Sequence, residues 1–429
     1  MAREMKDSGI EWIAEIPKEW EIKRIKYVAE FEPKCNMNEL NNDSIVTYLP
    51  MECLKNGYFE KRERNLGDLP TSLTHFQEND IVMAKVTPCF ENGNIAIMQK
   101  LQSGFGLGSS ELFVLRCKTV NIHYLFWWLQ NRGFVSQACS TMTGTGGLKR
   151  VSPYFIKNCT MHMPPEIEQV RISNFLYAQC EELDNVHKKT CASIEEYKKL
   201  KQAVITQAVT KGIRGSRELK DSGIEWIGEI PVEWEERRIK TLFNLRKERN
   251  FSPLEEVNLI SLYTDLGVVQ HSELEKTTGN KASNADGYKT VYRDDIVVNI
   301  ILCWMGAIGR SEYNGVTSPA YDVYIPRNEV LSKFYHYYFR TKGFSGDCYK
   351  RGKGIMAMRW RTYSDQFRDI RVVYPSLEEQ REIVNYLDQK CAAIDELIAK
   401  KEQYLSEIEN YKKSLIYEYV TGKKEVPQE

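Results

Sequence analysis

The feature that most constrains this chain is an internal duplication. Residues Lys6 to Lys26, KDSGIEWIAEIPKEWEIKRIK, return as Lys220 to Lys240, KDSGIEWIGEIPVEWEERRIK, with 17 of 21 positions identical. A chain of 429 residues is too long for one ordinary core at roughly 100 to 200 residues per domain, so two similar units are expected.

A second shared element starts where each globular half ends, after Pro164 and Pro165 and after Pro375, as proline commonly marks the start of a helix. EQVRISNFLYAQCEELDNV, Glu168 to Val186, matches EQREIVNYLDQKCAAIDEL, Glu379 to Leu397, with Gln169, Ile172, Asn174, Leu176, Cys180 and Asp184 recurring at a constant offset of 211. The copies close alike, as AVTKG and YVTGK. Apolar residues form a stripe of 3-4 spacing at Ile172, Leu176, Leu183, Val186, Tyr197, Leu200 and Val204. The second segment repeats it at Ile383, Leu387, Ile394, Leu397, Tyr404, Ile408, Tyr411 and Leu415. A helix of roughly 40 residues is about 60 Å long and cannot bury such a stripe on a small domain alone. Two such helices would bury their stripes on each other, so an antiparallel coiled coil holding two globular domains apart is expected.

The globular halves share weaker echoes. Asp80-Ile81-Val82 and Asp295-Ile296-Val297 each open a run of strand composition, IVMAKV and IVVNII. HYLFWWLQNRGF, His123 to Phe134, is echoed by KFYHYYFRTKGF, Lys333 to Phe344, and reads as an aromatic helix capped at its C-terminus by Gly133 or Gly343. The rest diverges, which suits loops of different specificity on a common scaffold.

Composition excludes several classes. Lys+Arg and Asp+Glu both total 59, so no global charge argues for a nucleic-acid or membrane partner. No segment has the roughly 18 uninterrupted apolar residues of a membrane span, and the first residues lack a signal-peptide core, so a soluble, cytoplasmic protein is expected. The 11 cysteines are scattered without metal spacing and read as reduced, buried side chains, with Cys180 and Cys391 matched by duplication.

No catalytic or metal constellation stands out: there is no phosphate-binding G-x-x-x-x-G-K-[ST] loop, no H-E-x-x-H and no G-x-S-x-G. Gly104, Gly106 and Gly108 precede a strand-like ELFVLR and are expected to form a turn. Asp265 with Glu273 to Lys276, ELEK, resembles the acidic-plus-lysine core of metal-dependent nucleases, but a solvated loop is the expected reading. Trp12/Trp226 and Trp20/Trp234 read as packing residues, because side chains identical in both copies are poor readers of two different sequences. Tyr124 to Trp128 likewise reads as core.

Local positive charge follows the aromatic helix in both halves. In the first it is TGTGGLKRVS, where Thr145, Gly146, Lys149 and Arg150 are the candidate DNA contacts. In the second, Lys350, Arg351, Lys353, Arg359, Arg361, Arg368 and Arg371 face only Asp365 and Asp369 within the same stretch, with Trp360 and Tyr363 interleaved. Of these, Lys350, Arg351, Lys353, Arg359 and Arg361 are the candidate contacts, since arginine pairs bidentately with guanine edges and lysine with phosphate.

Taken together, these residues resemble the specificity subunits of type I restriction-modification systems along essentially the whole chain. The resemblance is carried by the Ile-Pro-x-x-Trp element (Ile16, Pro17, Trp20; Ile230, Pro231, Trp234), by PP-x-x-EQ (Pro164, Pro165, Glu168, Gln169), by P-x-x-EEQ (Pro375, Glu378, Glu379, Gln380) and by the closing segments. The first copy departs slightly, at Ile167. The resemblance implies an α+β protein with a pseudo-twofold internal repeat. Its parts would be target-recognition domain 1 (1–163), spacer helix 1 (164–214), target-recognition domain 2 (215–374), spacer helix 2 (375–424) and a tail (425–429). It implies that each domain reads one part of a bipartite double-stranded DNA site while the helices set the gap. It further implies docking of two modification subunits, which carry S-adenosylmethionine and methylate adenine, and of restriction subunits using ATP and Mg. This chain would itself hold no cofactor and catalyse nothing. Gln169, Ile172, Leu176, Leu183, Gln380, Ile383, Leu387 and Ile394 are the candidate residues for helix pairing and docking. A neutral reader clamped in a larger complex would bind DNA only modestly alone.

Two other readings stay open at this stage. A nuclease hidden in the divergent loops would cleave DNA as the purified chain with a metal, and a scaffold that no longer reads DNA would be indifferent to loss of Arg359 and Arg361.

Overall fold

A computed structural model describes residues 3–36, 40–145, 147–264, 266–271, 284–354 and 360–427. The chain divides into two units, Met1–Thr190 with Gln403–Glu429, and Cys191–Glu402. Both boundaries fall inside long helices, Glu166–Lys211 and Leu377–Val420, so each unit contains half of each.

The first unit opens with the strand pair Met5–Asp7 and Glu15–Pro17. A four-stranded antiparallel sheet has the order Ala29–Phe31, Leu112–Cys117, Asp80–Ala84, Ile95–Ile97. In the second unit, the pair Leu219–Asp221 and Glu229–Pro231 is followed by a sheet of the same order, Phe243–Leu245, Tyr321–Pro326, Ile296–Asn299, Ile308–Arg310. Beside the shared sheet the units differ. The first has another four-stranded sheet, Arg62–Asn65, Ile45–Leu49, Phe105–Gly108, Thr74–Gln77, and the second has, among the described residues, two separate antiparallel pairs, Ile260–Tyr263 with Gly267–Gln270 and Lys289–Val291 with Gly315–Thr317. Ile81, Phe113 and Leu115 of the first sheet and Ile296, Val298 and Tyr324 of the second belong to the main cores.

The aspartate opening each echoed strand is buried and held twice. Asp80 accepts from Arg116 Nε and Nη2, both at 2.8 Å, and from the Gln77 amide. Asp295 does the same with Arg246 and the Tyr292 amide. A buried carboxylate without such partners would cost several kcal/mol, of order 3–5, so this residue fixes the strand's start.

The long helices pair antiparallel within each unit. In the first, Lys412 Nζ bonds Asp184 at 2.6 Å while Phe175 meets Tyr419 with ring centroids 4.5 Å apart. In the second, Lys201 Nζ bonds Asp395 at 2.6 Å and Arg214 bonds Glu382 at 2.8 Å. Lys201 and Lys412, like Asp184 and Asp395, stand 211 positions apart, so the two ion pairs are one contact written twice. Ile172, Leu176, Ile383, Leu387 and Ile394 are buried and Leu183 is half-buried against the core, but Leu200, Leu397, Tyr404 and Tyr411 of the expected stripe are exposed. The stripe overreached there because helix pairing of 46- and 44-residue helices buries only part of each apolar face. No helix among the described residues is long and apolar enough to cross a membrane.

Three local expectations are corrected. The aromatic segment is not one helix but two in each copy, Ile122–Trp128 then Arg132–Ser140, and Ser332–Phe339 then Lys342–Arg351. The second helix of each is started by a side chain: Asn131 accepts from the Phe134 amide at 3.0 Å and Thr341 from the Phe344 amide at 3.3 Å. Gly133 and Gly343 therefore lie in a first turn, not at a C-cap. They are glycines because a Cβ would fall 2.0 Å from Trp12 Cε3 and 2.1 Å from Trp226 Cε3. Finally, Gly106 and Gly108 lie in the strand Phe105–Gly108 rather than in a turn, and a Cβ on Gly106 would strike the Phe76 ring at 2.1 Å.

Candidate nucleic-acid interface

Each unit presents one loop at the same place, and both are closed by a pair of backbone hydrogen bonds. After Arg132–Ser140 the chain turns out and back so that the Thr143 amide donates to Arg150 O at 3.0 Å and the Arg150 amide to Thr143 O at 2.8 Å. After Lys342–Arg351 the same closure joins Lys353 and Arg361, at 2.9 and 3.0 Å. Gly144 permits the first return, since a Cβ there would lie 2.3 Å from Leu148 O.

The first loop is stapled to its domain by Thr87. The Thr87 amide donates to Lys149 O at 2.9 Å, and its hydroxyl donates to Gly147 O at 2.8 Å while the hydroxyl oxygen accepts from the Lys149 amide at 2.9 Å. Thr145, Leu148 and Lys149 are left at the surface. The second loop is anchored by Thr362, which is buried; its amide donates to Ile300 O and its hydroxyl to Cys348 O, both at 2.9 Å. Trp360 stacks on Tyr349 at 5.1 Å and donates Nε1–H to Tyr349 O. It supports the loop base, and Tyr349 in turn meets Trp304 at 5.7 Å.

The structure changes the charge reading of several candidates. Arg150 is held by Glu111 through two bonds, at 2.9 and 2.6 Å, and this contact lowers the Glu111 carboxyl below its usual range. Lys350 pairs with Glu225 at 2.5 Å and Arg351 with Asp369 at 3.1 Å. Asp369 also takes Lys240 and Arg238, which with Arg351 hold its carboxyl down at about 2, Lys240 contributing most of the lowering. Arg371 pairs with Glu236. The basic stretches are thus partly neutralised by carboxylates from distant segments. Lys149, Lys353 and Arg361 are exposed on the two loops. Gly146 and Arg359 lie outside the described residues, as do Asp265 and Glu273 to Lys276.

The candidate docking residues divide. Gln169 and Gln380 are buried and fasten the start of each long helix to its own domain rather than pairing the helices. Gln169 accepts from the Asn121 amide and donates to Pro164 O, both at 2.8 Å. Gln380 accepts from the Leu331 amide at 2.8 Å and donates to Pro375 O at 2.9 Å. The neighbouring glutamates grip the indoles of the Ile-Pro-x-x-Trp elements: Trp20 Nε1–H donates to Glu168 at 3.0 Å and Trp234 Nε1–H to Glu379 at 2.9 Å. Arg3 and Arg217 complete these joints by bonding the same carboxylates and lying over the indole rings. The two arginines were missed in sequence, although Arg3-Glu4 and Arg217-Glu218 extend the repeat by three residues.

Comparison with known proteins agrees with this architecture. Residues 231–409 match the family profile of the type I restriction modification DNA specificity domain. A stretch of 196 residues is 29% identical to the type I restriction enzyme EcoEI specificity subunit of Escherichia coli, covering 44% of this chain and 33% of that protein. The EcoAI specificity subunit matches similarly, at 30%, and the chain thus spans a third of the length of these two relatives. The MjaVIII specificity subunit of Methanocaldococcus jannaschii is 23% identical over 428 residues, 95% of this chain and 93% of that one. The fold is shared with a type I R-M system chain at a TM-score of 0.73 and 15% identity, covering 95% of this chain and 99% of that one. It is also shared with the HsdS subunit of Thermoanaerobacter tengcongensis at a TM-score of 0.54 and 17% identity, over 95% and 98%. With the duplicated joints and the paired helices, these matches make the chain similar to the type I restriction-modification specificity subunits, whose DNA specificity domain its residues 231–409 match.

Proposed function

We propose that the two units are the two readers of a bipartite, asymmetric DNA site, that the long helices set the gap between its halves, and that the chain directs adenine methylation and restriction carried out by partner subunits without being an enzyme. One observation carries this reading. The same closed loop, Thr143 to Arg150 and Lys353 to Arg361, recurs at one position of a repeated scaffold with different side chains on it. A common mount with unlike tips suits a protein that performs one task on two different sequences.

The partners follow from the same division. Tyr404 and Tyr411 in the first unit, and Leu200 and Leu397 in the second, are exposed on the long helices, and apolar side chains placed there suit docking of modification subunits. S-adenosylmethionine, ATP and Mg would then belong to those partners. Among their described residues the loops offer few unpaired cations, so the isolated chain should bind DNA modestly and in a salt-sensitive way. The test is a binding titration of labelled duplexes carrying the cognate site, with and without the cognate modification subunit. Specific binding restored only by that subunit supports the reading; full affinity and specificity without it contradicts the docking role.

A further inference from the structure

The first unit's loop is held by a residue far from it in sequence, and the second unit lacks that residue. Thr87, 62 residues before Lys149, is buried beneath the loop. Its hydroxyl works in both directions, donating to Gly147 O at 2.8 Å and accepting from the Lys149 amide at 2.9 Å, while its own amide donates to Lys149 O at 2.9 Å. Both backbone groups of Lys149 are thus bonded to one threonine. The mount beneath is fixed as well: the Lys85 amide donates to Glu111 O at 3.0 Å, and Lys85 O accepts from the Val151 amide at 2.9 Å.

The second unit repeats the mount without the staple. Ile300 O accepts from the Thr362 amide at 2.9 Å, as Lys85 O accepts from that of Val151, so Ile300 stands where Lys85 does. Two residues on, Leu302 takes the place of Thr87. Leucine has no hydroxyl to donate or accept, and this one is 37% exposed. Parts common to both units serve as scaffold, and parts that differ suit the reading of different sequences; Thr87 falls among the parts that differ. Its reach is also narrow. Glu111 holds the Arg150 guanidinium through two bonds, whereas Lys149 is exposed and has no carboxylate partner among the described residues. Fixing the Lys149 backbone therefore sets the point from which this unpaired cation extends.

We propose that Thr87 is a positioning residue for the first unit's half-site, acting through Lys149, whose ammonium it aims at an acceptor on the DNA. This rests on the reading of that unit as a DNA reader. Hydrogen bonds span only about 2.7–3.2 Å, so a shift of the Lys149 backbone by about 1 Å breaks such a contact. The acceptor is a base edge or a phosphate oxygen: the first would make Thr87 a determinant of sequence preference, the second a determinant of affinity for every sequence alike.

Binding and methylation by the full chain assembled with its cognate modification subunit test the proposal, on duplexes carrying the cognate site or single base-pair changes in either half. Lys149→Ala sets the reference. Lost preference within one half identifies a base edge, and a uniform loss with a salt slope lower by about 1 identifies a phosphate. Thr87→Val keeps the side chain's shape and removes its hydroxyl; it is expected to reproduce that same kind of loss, about tenfold, the size of one displaced contact. Thr87→Ser should restore the unsubstituted behaviour, and Thr87→Val should add little in a Lys149→Ala background. An unchanged profile for Thr87→Val or for Lys149→Ala, no rescue by Thr87→Ser, or the same tenfold loss without Lys149 would overturn the positioning role while leaving the unit a DNA reader. Absence of any split-site preference in the unsubstituted assembly would overturn both.

Discussion

Trp20 donates its indole N–H to Glu168 at 3.0 Å, and this single bond joins the first repeated sequence element to the second. Gly422 completes the joint. At φ +70° it ends the second long helix in the left-handed conformation, and a Cβ on it would lie 3.1 Å from Trp20 Cη2 and closer still to Pro17. Trp234, Glu379 and Gly212, at φ +76°, repeat the arrangement in the second unit. Each tryptophan is therefore where one helix starts and the other ends, which explains why the opening, middle and closing sequences are duplicated together.

Removing the carboxylate from this joint should be costly. Glu379 and Arg217 expose 4% and 13% of their side chains, and leaving one charge of a buried pair alone costs roughly 3–5 kcal/mol. Glu379→Ala is expected to destabilise the second unit by about that amount, and Trp234→Phe by about 1–2 kcal/mol through the lost hydrogen bond. Urea unfolding of the full chain measures both. A change under about 0.5 kcal/mol for Glu379→Ala, the size of an ordinary surface substitution, would show that the joint does not hold the unit together.

Gly343→Ala should be destabilising for a different reason. The added methyl meets the Trp226 ring, and overpacking of this kind costs about 1–3 kcal/mol. Because the damage comes from one contact, Gly343→Ala should cost less in a Trp226→Ala background than in the wild type. Additive costs in that cycle would place the effect in the helix backbone instead.

Acid should weaken the first unit through His162. The ring is fully buried, neither nitrogen has a hydrogen-bond partner among the described residues, and burial, with a smaller contribution from Lys423, lowers its pKa from 6.5 to about 4. The unfolded chain takes up a proton near pH 6.5 while the folded chain resists until about 4. Stability is thus present above that window and lost as pH falls through it, by up to about 3 kcal/mol. His162→Val, which installs the residue found at the counterpart Val373, should remove this loss. Unfolding free energies compared at about pH 7 and about pH 4.5 would show a smaller difference in the variant; an unchanged difference refutes the assignment.

The sequence made the two units, the paired helices and the echoed strands legible, because identity at a fixed offset and apolar periodicity are local signals. The loops were legible as positions but not as charge patterns. Glu111 reaches Arg150 across 39 residues and Glu225 reaches Lys350 across 125, and no window around the basic residues contains those carboxylates. Gly133 looked like a helix end because its reason for being glycine, the ring of Trp12, lies more than a hundred residues earlier. Leu200 and Leu397 fitted a helix stripe that local spacing could not distinguish from a face left exposed.

Within the loops, Lys149, Lys353 and Arg361 are exposed cations whose loss should be read directly in DNA recognition. Each phosphate contact removed should lower the salt slope of binding by about 1, while a lost base contact should cost about 1–3 kcal/mol and relax one position.

The most direct measurement is a genome-wide map of methylated adenines in cells expressing this chain with its cognate modification subunit, repeated with Lys149→Ala and with Arg361→Ala. Two unlike half-sites separated by a fixed gap are expected, with Lys149→Ala degrading recognition of one half and Arg361→Ala that of the other. A continuous motif, or a split motif that neither variant alters, would contradict the assignment of one reader to each unit.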